Sequence, residues 1–368
     1  MLGTSGHNRL LKILHIDPER DWGGGEAQVL GLLSYLAAEG HRNDLLTYPN
    51  GKLWERSQGL DIKTLPLVAR NDIDLRPVWR LRRLIRREGY DIVHLHTKRA
   101  HALSAWLPHG PGAPRYVVTR RMDYPEKNNC HTHYLYNRCV DGIVAISQPI
   151  VELLVDAGVD AGRIRLIRSG IDVARFAPGA DNAGAERVLT IGTVAVLQER
   201  KGHRFLLEAV ADLKVRGVKP VCLLAGAGSE RKGLEEMVAR LGLAEEVNFL
   251  GFVADTPAFL AGIDIFVLPS LYEGLGVAAL EAMAAGKAVV ASRVGGLTDV
   301  ITDGLTGFLV PPRDSKALSD AIAKLIADPN RARAMGRSAA AHVRKHFTVE
   351  RMAAGNEVYY YELLEDRR

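Results

Sequence analysis

Long apolar runs are missing from this chain, and so is a cysteine framework. No uninterrupted apolar stretch in its 368 residues approaches the roughly 18 needed to cross a bilayer. The segment Met1–Leu14 has neither a secretory apolar core nor a small-residue cleavage site. Cytoplasmic residence is therefore expected, at most peripheral on the cytoplasmic face of an inner membrane. Three cysteines (Cys130, Cys139 and Cys222) are too few for a disulfide scaffold, and none has zinc-type spacing. They are expected to be core or bystander thiols. Low-complexity tails are absent too, and no cluster of histidine and acidic residues shows metal-ligand spacing. Metal-independent chemistry is the expectation.

What is present fits a soluble globular protein: 47% hydrophobic and 25% charged residues, at a length that favours two domains. The net charge of +5 is uneven. Residues 1–175 hold 25 Lys and Arg against 19 Asp and Glu, whereas the remainder holds 23 against 24. The densest part is Arg76-Pro-Val-Trp-Arg-Leu-Arg-Arg-Leu-Ile-Arg-Arg87, six arginines without an acid. Val78, Leu81, Leu84 and Ile85 recur there at helical spacing, so an amphipathic basic helix opening near Pro77 is expected. Such a helix either packs by its apolar stripe or also meets an anionic membrane surface, where each basic residue contributes about 1 kcal/mol. Nucleic-acid binding is not expected, because no aromatic-and-basic module accompanies the arginines.

Short apolar, β-branched runs alternate with helical patterns. Leu11–Ile16, Ile92–Leu95, Tyr116–Thr119 and Ile143–Ile146 read as buried parallel strands of the first half. Val188–Val194, Val221–Ala225, Val247–Leu250, Ile263–Leu268, Ala288–Ala291 and Phe308–Val310 do so in the second. Ala27–Glu39, Phe205–Val215, Gly233–Leu241 and Ser315–Ala327 read as helices between them. The alternation predicts two doubly wound α/β domains, with a boundary near Phe176–Ala185.

Glu273-Gly-Leu-Gly-Val-Ala-Ala-Leu-Glu281 is the most informative stretch. It follows an apolar strand and opens a helix near Gly276. One carboxylate then stands at the strand's C-terminal edge and the other a little over one turn into the helix. The glycine between them leaves backbone N–H groups free at the positive helix end, where a phosphate binds readily. Two carboxylates around an anion site suit a nucleotide-sugar. An ordinary helix carrying two glutamates is the bland alternative.

This Glu-x7-Glu element resembles the donor-site signature of the retaining glycosyltransferases of family four, which have the GT-B fold. Other motifs resemble that family in the expected order: Gly23-Gly24-Gly25-Glu26, Asp91-Ile-Val-His-Leu-His96, Ser169-Gly-Ile-Asp172 with Phe176-Ala-Pro178, Gly226-Ala-Gly228, Phe249-Leu-Gly-Phe252, and Gly295-Gly296 with Asp303-Gly304 and Gly307. The resemblance implies two Rossmann-like domains facing an interdomain cleft. Residues 1–178 would form the acceptor domain, 179–348 the nucleotide-sugar domain, and 349–368 a helix returning to the first. It implies that Glu273 meets the donor sugar and Glu281 the ribose. Gly23 and Gly24 would approach the diphosphate, and Phe252, Val253, Leu275, Gly276 and Val277 would complete the donor site. No cofactor is implied beyond a UDP-, GDP- or ADP-linked sugar as co-substrate. The implied acceptor is a glycolipid or surface glycan, of the bacterial lipopolysaccharide type.

Glycosyl transfer leaves negative charge on a departing diphosphate, which cations and N–H donors must stabilise. Arg200 and Lys201, before Gly202 at a helix start, are placed for that role, although a solvated charge pair reads the same way. The chain departs from the family where an arginine usually precedes the lysine motif, because Val196 occupies that position. Arg200 offers a replacement guanidinium, a better fork for phosphate than a second lysine. A second departure lies after Tyr116–Thr119, where the family's histidine is replaced by Arg121 with Asp123 close by. Arg121 is expected to hold a phosphate of donor or acceptor. His96, His94 and Asp123 are candidates for touching the acceptor hydroxyl, against the plainer reading of core histidines. Asp72-Ile-Asp74 reads as a turn before the basic helix rather than a metal motif. Gly226-Ala-Gly228 lacks the third glycine of a dinucleotide fingerprint, so NAD is not expected.

No residue qualifies as a covalent nucleophile, so a front-face retaining transfer without metal is the expectation. Two alternatives stand beside it: a nucleotide-sugar epimerase of the same architecture, and a non-enzymatic two-lobed sugar-binding protein.

Overall fold

The computed structural model describes residues 9–68, 74–176 and 189–366. The chain divides into two compact units, residues 1–170 with 349–368, and residues 171–348. The domain boundary expected at residue 178 lies outside the described residues, as do Val188 and Asp72.

The first unit is built on a parallel sheet of β1 (Lys12–Asp17), β2 (Arg42–Thr47), β3 (Lys63–Pro66), β4 (Ile92–Leu95), β5 (Arg115–Arg120), β6 (Gly142–Ala145) and β7 (Ile164–Leu166). Its strand order is β3-β2-β1-β4-β5-β6-β7. Chain order thus reverses between β1 and β4, where His15 pairs in register with His94. The helix Val349–Glu365 completes this unit's core. Met352, Tyr359 and Tyr360 pack with Leu11, Ile13, Leu32, Leu36, Ile92 and Val117. Each such side chain, fully buried, contributes about 1.5–3 kcal/mol. Gly31 permits the close crossing of this helix with Gly24–Ala38, since a Cβ there would stand 2.7 Å from Val349 Cγ1.

The second unit repeats the design with β8 (Thr190–Val194), β9 (Val221–Ala225), β10 (Val247–Gly251), β11 (Ile265–Leu268), β12 (Ala288–Ser292) and β13 (Phe308–Val310). Their order is β10-β9-β8-β11-β12-β13, all parallel, with the reversal between β8 and β11. A core of Ile191, Leu206, Leu207, Val210, Leu224, Val267, Val290 and Ile322 lies between sheet and helices. Both units therefore have the doubly wound pattern, whose ligands meet the sheet beyond its strands' C-terminal ends at the reversal. The sequence had not marked β2, β3 and β7 as strands.

Candidate functional site

At the second unit's reversal, two loops cross. One follows β8 and closes in a short 3-10 turn, Glu199–Lys201, before the helix His203–Val215. The other follows β11 and runs from Pro269 to the helix Val277–Ala284. Their backbones touch at Gly202, whose φ is +65° and where a Cβ would meet Pro269 O at 2.0 Å. The Leu271 N–H donates to Arg200 O at 2.8 Å, fixing the crossing. A third loop locks the second, because Gly296 N–H donates to Glu273 O at 2.9 Å and has no room for a Cβ against Gly274 O.

This crossing brings Lys201 and Glu273 together although 72 positions separate them. Lys201 Nζ donates to Glu273 Oε2 at 2.5 Å, and Ser270 Oγ donates to the same oxygen at 3.1 Å. Each member of the ion pair is only 12% exposed. The carboxylate is neutralised and oriented. Gly276 caps the helix Val277–Ala284 without a side-chain hydrogen bond, at φ +91°, so the first-turn N–H groups keep their donor capacity.

Glu281 differs from Glu273. It is half-buried, and among the described residues no hydrogen bond or ion pair reaches its carboxylate. Burial pushes its pKa up to about 7, against the opposing charge of Arg175. Arg200 is half-buried, with its Nε donating to Gln198 Oε1 at 3.1 Å. Val196 is exposed nearby in the same loop. Phe252, 78% exposed, and Val253 follow β10 at the same sheet edge, whereas Leu275 is buried and Val277 half-buried. Leu275 therefore has only its main chain to offer a ligand. His203, buried just after Lys201 and Gly202, has neither ring nitrogen bonded among the described residues, and burial lowers its pKa to about 4.

Gly226 and Gly228 have a packing role. A Cβ would strike Ala195 O at 1.9 Å or Leu197 O at 2.2 Å, because this loop lies against the one after β8. Arg231, where a dinucleotide fingerprint would have glycine, pairs instead with Glu235 at 2.8 Å.

The first unit's reversal gathers Asp17 at the end of β1, His96 just past β4 and Arg121 just past β5. Gly23 caps the helix Gly24–Ala38, and the Arg121 side chain lies against Gly25 at 3.4 Å from a notional Cβ. Arg121 donates to Gln28 Oε1 at 3.2 Å and to His96 Nδ1 at 3.4 Å. A guanidinium only donates, which fixes the tautomers beyond it. His96 Nε2–H then donates to His15 Nδ1 at 3.0 Å, and His15 Nε2–H to Asn43 Oδ1 at 3.3 Å.

His94 is a satisfied core residue, bonded to Tyr360 Oη at 2.6 Å and Thr119 Oγ1 at 2.7 Å. Sequence reading missed that His15, His94 and His96 bring ring nitrogens within 4.8 Å of one another. Those nitrogens are held by the bonds just described, beside a guanidinium. Burial lowers the pKa of all three, that of His15 to about 4, so they are neutral. Asp17 goes the other way: burial, reinforced by Glu26, pushes its carboxyl up to about 7. Asp123 is half-buried in the loop after β5 and is itself engaged.

The basic helix forms as Val78–Glu88, with Val78, Leu81 and Ile85 buried. Trp79, 67% exposed, and Arg80, Arg82, Arg83, Arg86 and Arg87 face solvent. Asp74 is buried and clasped by Arg76 at 2.6 and 2.7 Å, a turn before that helix.

Two family profiles match the chain, "Glycosyltransferase Family 4" over residues 22–175 and "Glycosyl transferases group 1" over residues 180–342. The lipopolysaccharide core biosynthesis glycosyltransferase LpsE of Rhizobium meliloti is 32% identical over 329 residues, covering 86% of this chain and 89% of that protein. The core mannosyltransferase LpcC of Rhizobium leguminosarum is 33% identical over 55% of this chain and 61% of its own. Among solved structures, a glycosyltransferase from Rickettsia africae superposes with a TM-score of 0.84 at 22% identity, covering 98% of this chain and all of that one. Anabaena HepE, in complex with UDP and glucose, gives 0.80 at 22% identity, over 96% of this chain and all of that one.

Proposed function

Since the chain belongs to glycosyltransferase family four and has the GT-B fold, we propose that it moves a hexosyl group from a nucleotide-diphosphate sugar to a hydroxyl of a glycolipid or surface glycan, with retention and without metal. The observation that carries this reading is the Lys201–Glu273 ion pair at the second unit's reversal, set beside free helix N–H groups and the unpaired Glu281. Lys201 and Arg200 face the diphosphate as negative charge grows on it. Glu281 receives the ribose hydroxyls, and Phe252 offers an exposed ring to the base.

Glu273 orients the sugar rather than attacking it. A carboxylate already bonded to an ammonium and a hydroxyl is a weak nucleophile, which favours a front-face route. In that route the anomeric C–O bond to the diphosphate breaks and the acceptor oxygen bonds the anomeric carbon from the same face. The acceptor's proton passes to the departing phosphate oxygen. The relatives named for lipopolysaccharide core synthesis support an envelope-glycan acceptor. The arginine-rich face of Val78–Glu88, with Trp79 exposed, supports docking on an anionic membrane surface.

Calorimetric titration with UDP, GDP and ADP, without metal, tests the donor site. One nucleotide should bind selectively, and Glu281→Ala should weaken it roughly tenfold to a hundredfold. Binding of none of the three would sink the reading.

A further inference from the structure

The first unit holds a cavity of about 810 Å³ between the helix Cys130–Asn137 and the loop that precedes β7. Of its lining residues, Arg138 leads into β6 and Arg163 into β7. It therefore lies where those strands start, at the sheet edge opposite the one that carries Arg121. Its volume is in the range of ligand pockets. The transfer chemistry makes no use of it.

Hydrogen bonds fix its walls. Asn137 Nδ2 donates to Gly158 O at 3.0 Å, and Asn137 Oδ1 accepts the Asp160 N–H at 2.9 Å. Asn128 Nδ2 donates to Asp156 O at 3.3 Å, which turns its Oδ1 toward His133 Nε2 at 2.8 Å. That ring nitrogen must then carry the proton, and His133 Nδ1 becomes an acceptor. Gly158, at φ +80°, lets the loop lie against this pair, since a Cβ would stand 2.5 Å from His133 Nε2. The Tyr134 hydroxyl is tied to the Cys139 thiol, yet the residue is 50% exposed.

The walls keep hydrogen-bonding capacity of both kinds. Asp160 Oδ1 accepts the Gly162 N–H at 3.0 Å, while Arg163 Nε stands 3.6 Å from Oδ2, too far for a hydrogen bond. Among the described residues, no hydrogen bond or ion pair reaches the Arg138 guanidinium or Asn129 Nδ2. An anion here meets Asp160, and a cation meets Arg138 and Arg163. A neutral molecule that donates and accepts at neighbouring positions suits all three, and adjacent sugar hydroxyls do so. An exposed aromatic ring gives the apolar C–H face of a sugar its cover.

We propose that this cavity binds a short neutral oligosaccharide, with Tyr134 against a ring face and Asp160, His133 and Arg138 on its hydroxyls. It holds sugar without reacting with it, and the proposal does not depend on the transferase reading.

Cys130 lines the cavity and is exposed, whereas Cys139 and Cys222 are buried, so its thiol reports occupancy. Alkylation of Cys130 by iodoacetamide in the full chain is timed by mass spectrometry. Maltotriose and mannotriose are the neutral probes, and glucose 6-phosphate and UDP the anionic ones. At least one trisaccharide should slow alkylation, by roughly tenfold at about ten times its Kd, and neither anion should. Asp160→Ala and Arg138→Ala should each weaken that affinity roughly tenfold. Their alkylation rates without sugar should stay within about twofold of wild type, which also reports that the walls are intact. Arg138 bonds nothing in the walls by its side chain, so its replacement tests the cavity even if Asp160→Ala fails to fold. The proposal is overturned if neither trisaccharide protects Cys130 in the wild type, or if protection survives unchanged in Arg138→Ala. Stronger protection by glucose 6-phosphate or UDP would overturn it as well. None of these results bears on nucleotide binding by the second unit.

Discussion

Glu273 and Glu281 lie eight positions apart, and only the first has a cation bonded to it. Lys201 Nζ is 2.5 Å from Glu273 Oε2, while the Glu281 carboxyl sits half-buried with its pKa raised to about 7. One glutamate is oriented by an ammonium and a hydroxyl, and the other titrates near neutrality. Their different environments lead to different experimental behaviour.

Lys201→Ala removes the ammonium bonded to Glu273, the cation proposed to face the diphosphate. We expect turnover to fall about 100- to 1000-fold with the fold intact, and Lys201→Arg to recover part of it. Steady-state kinetics with a nucleotide-sugar that binds, alongside circular dichroism, would check this. Arg200→Ala should weaken donor affinity and turnover to a smaller degree, because its guanidinium bonds the neutral Gln198 amide and not Glu273. Unchanged values would remove Arg200 from the site.

Glu281 also makes stability depend on pH. Its folded pKa of about 7 exceeds the ordinary 4.5, so the folded protein binds more protons between those values. Stability is therefore lost as pH rises through that window. Glu281→Gln should stabilise the second unit by about 1–3 kcal/mol at pH 8 and by almost nothing at pH 4. Denaturant unfolding of both proteins at the two pH values measures the difference. An equal effect at both would refute the burial argument.

Gly202→Ala tests the loop crossing. A Cβ at φ +65°, 2.0 Å from Pro269 O, forces the two loops apart. Positive φ and the clash together should cost at least about 1–3 kcal/mol and lower activity by displacing Lys201. Thermal unfolding and turnover are the readouts, and a neutral substitution would show that the loops do not meet as described.

Replacing Arg80, Arg82 and Arg83 by alanine should reduce co-sedimentation with vesicles containing anionic phosphatidylglycerol by roughly tenfold or more, at about 1 kcal/mol per basic residue near the surface. Sedimentation with purely zwitterionic vesicles should be weak for both proteins. If the arginine variant sediments like the wild type, the basic face has another purpose.

Most strands were legible in the sequence because apolar residues dominate them; β4, β9 and β13 have the expected bounds. β2, Arg-Asn-Asp-Leu-Leu-Thr, was not, because three of its five buried positions are polar. Asn43 bonds His15 and the His41 carbonyl, and Asp44 accepts the Tyr90 hydroxyl at 2.6 Å. Paired polar groups are buried at little cost, and a hydropathy reading has no sight of the pairing. Asp17 is one acid at the end of a strand, and its relation to Arg121 arises only when β1, β4 and β5 align. Glu273 and Glu281 were visible because one loop and one helix carry both. The Lys201 partnership needed the sheet.

The chain leaves its first unit at residue 170 and returns at residue 349, so the order of synthesis differs from the order of completion. A ribosome extending at roughly 5–20 residues per second delivers the whole of the contiguous second unit first. The sheet of the first unit waits many seconds for Met352, Tyr359 and Tyr360, with His94 lacking its tyrosine bond and Leu36 and Ile92 lacking part of their cover. Translation that stops short of residue 349 would therefore strand the older half of the molecule unfinished beside a complete younger one. The stretch after residue 349 decides whether the earlier-made part of its unit is a substrate for chaperones and proteases.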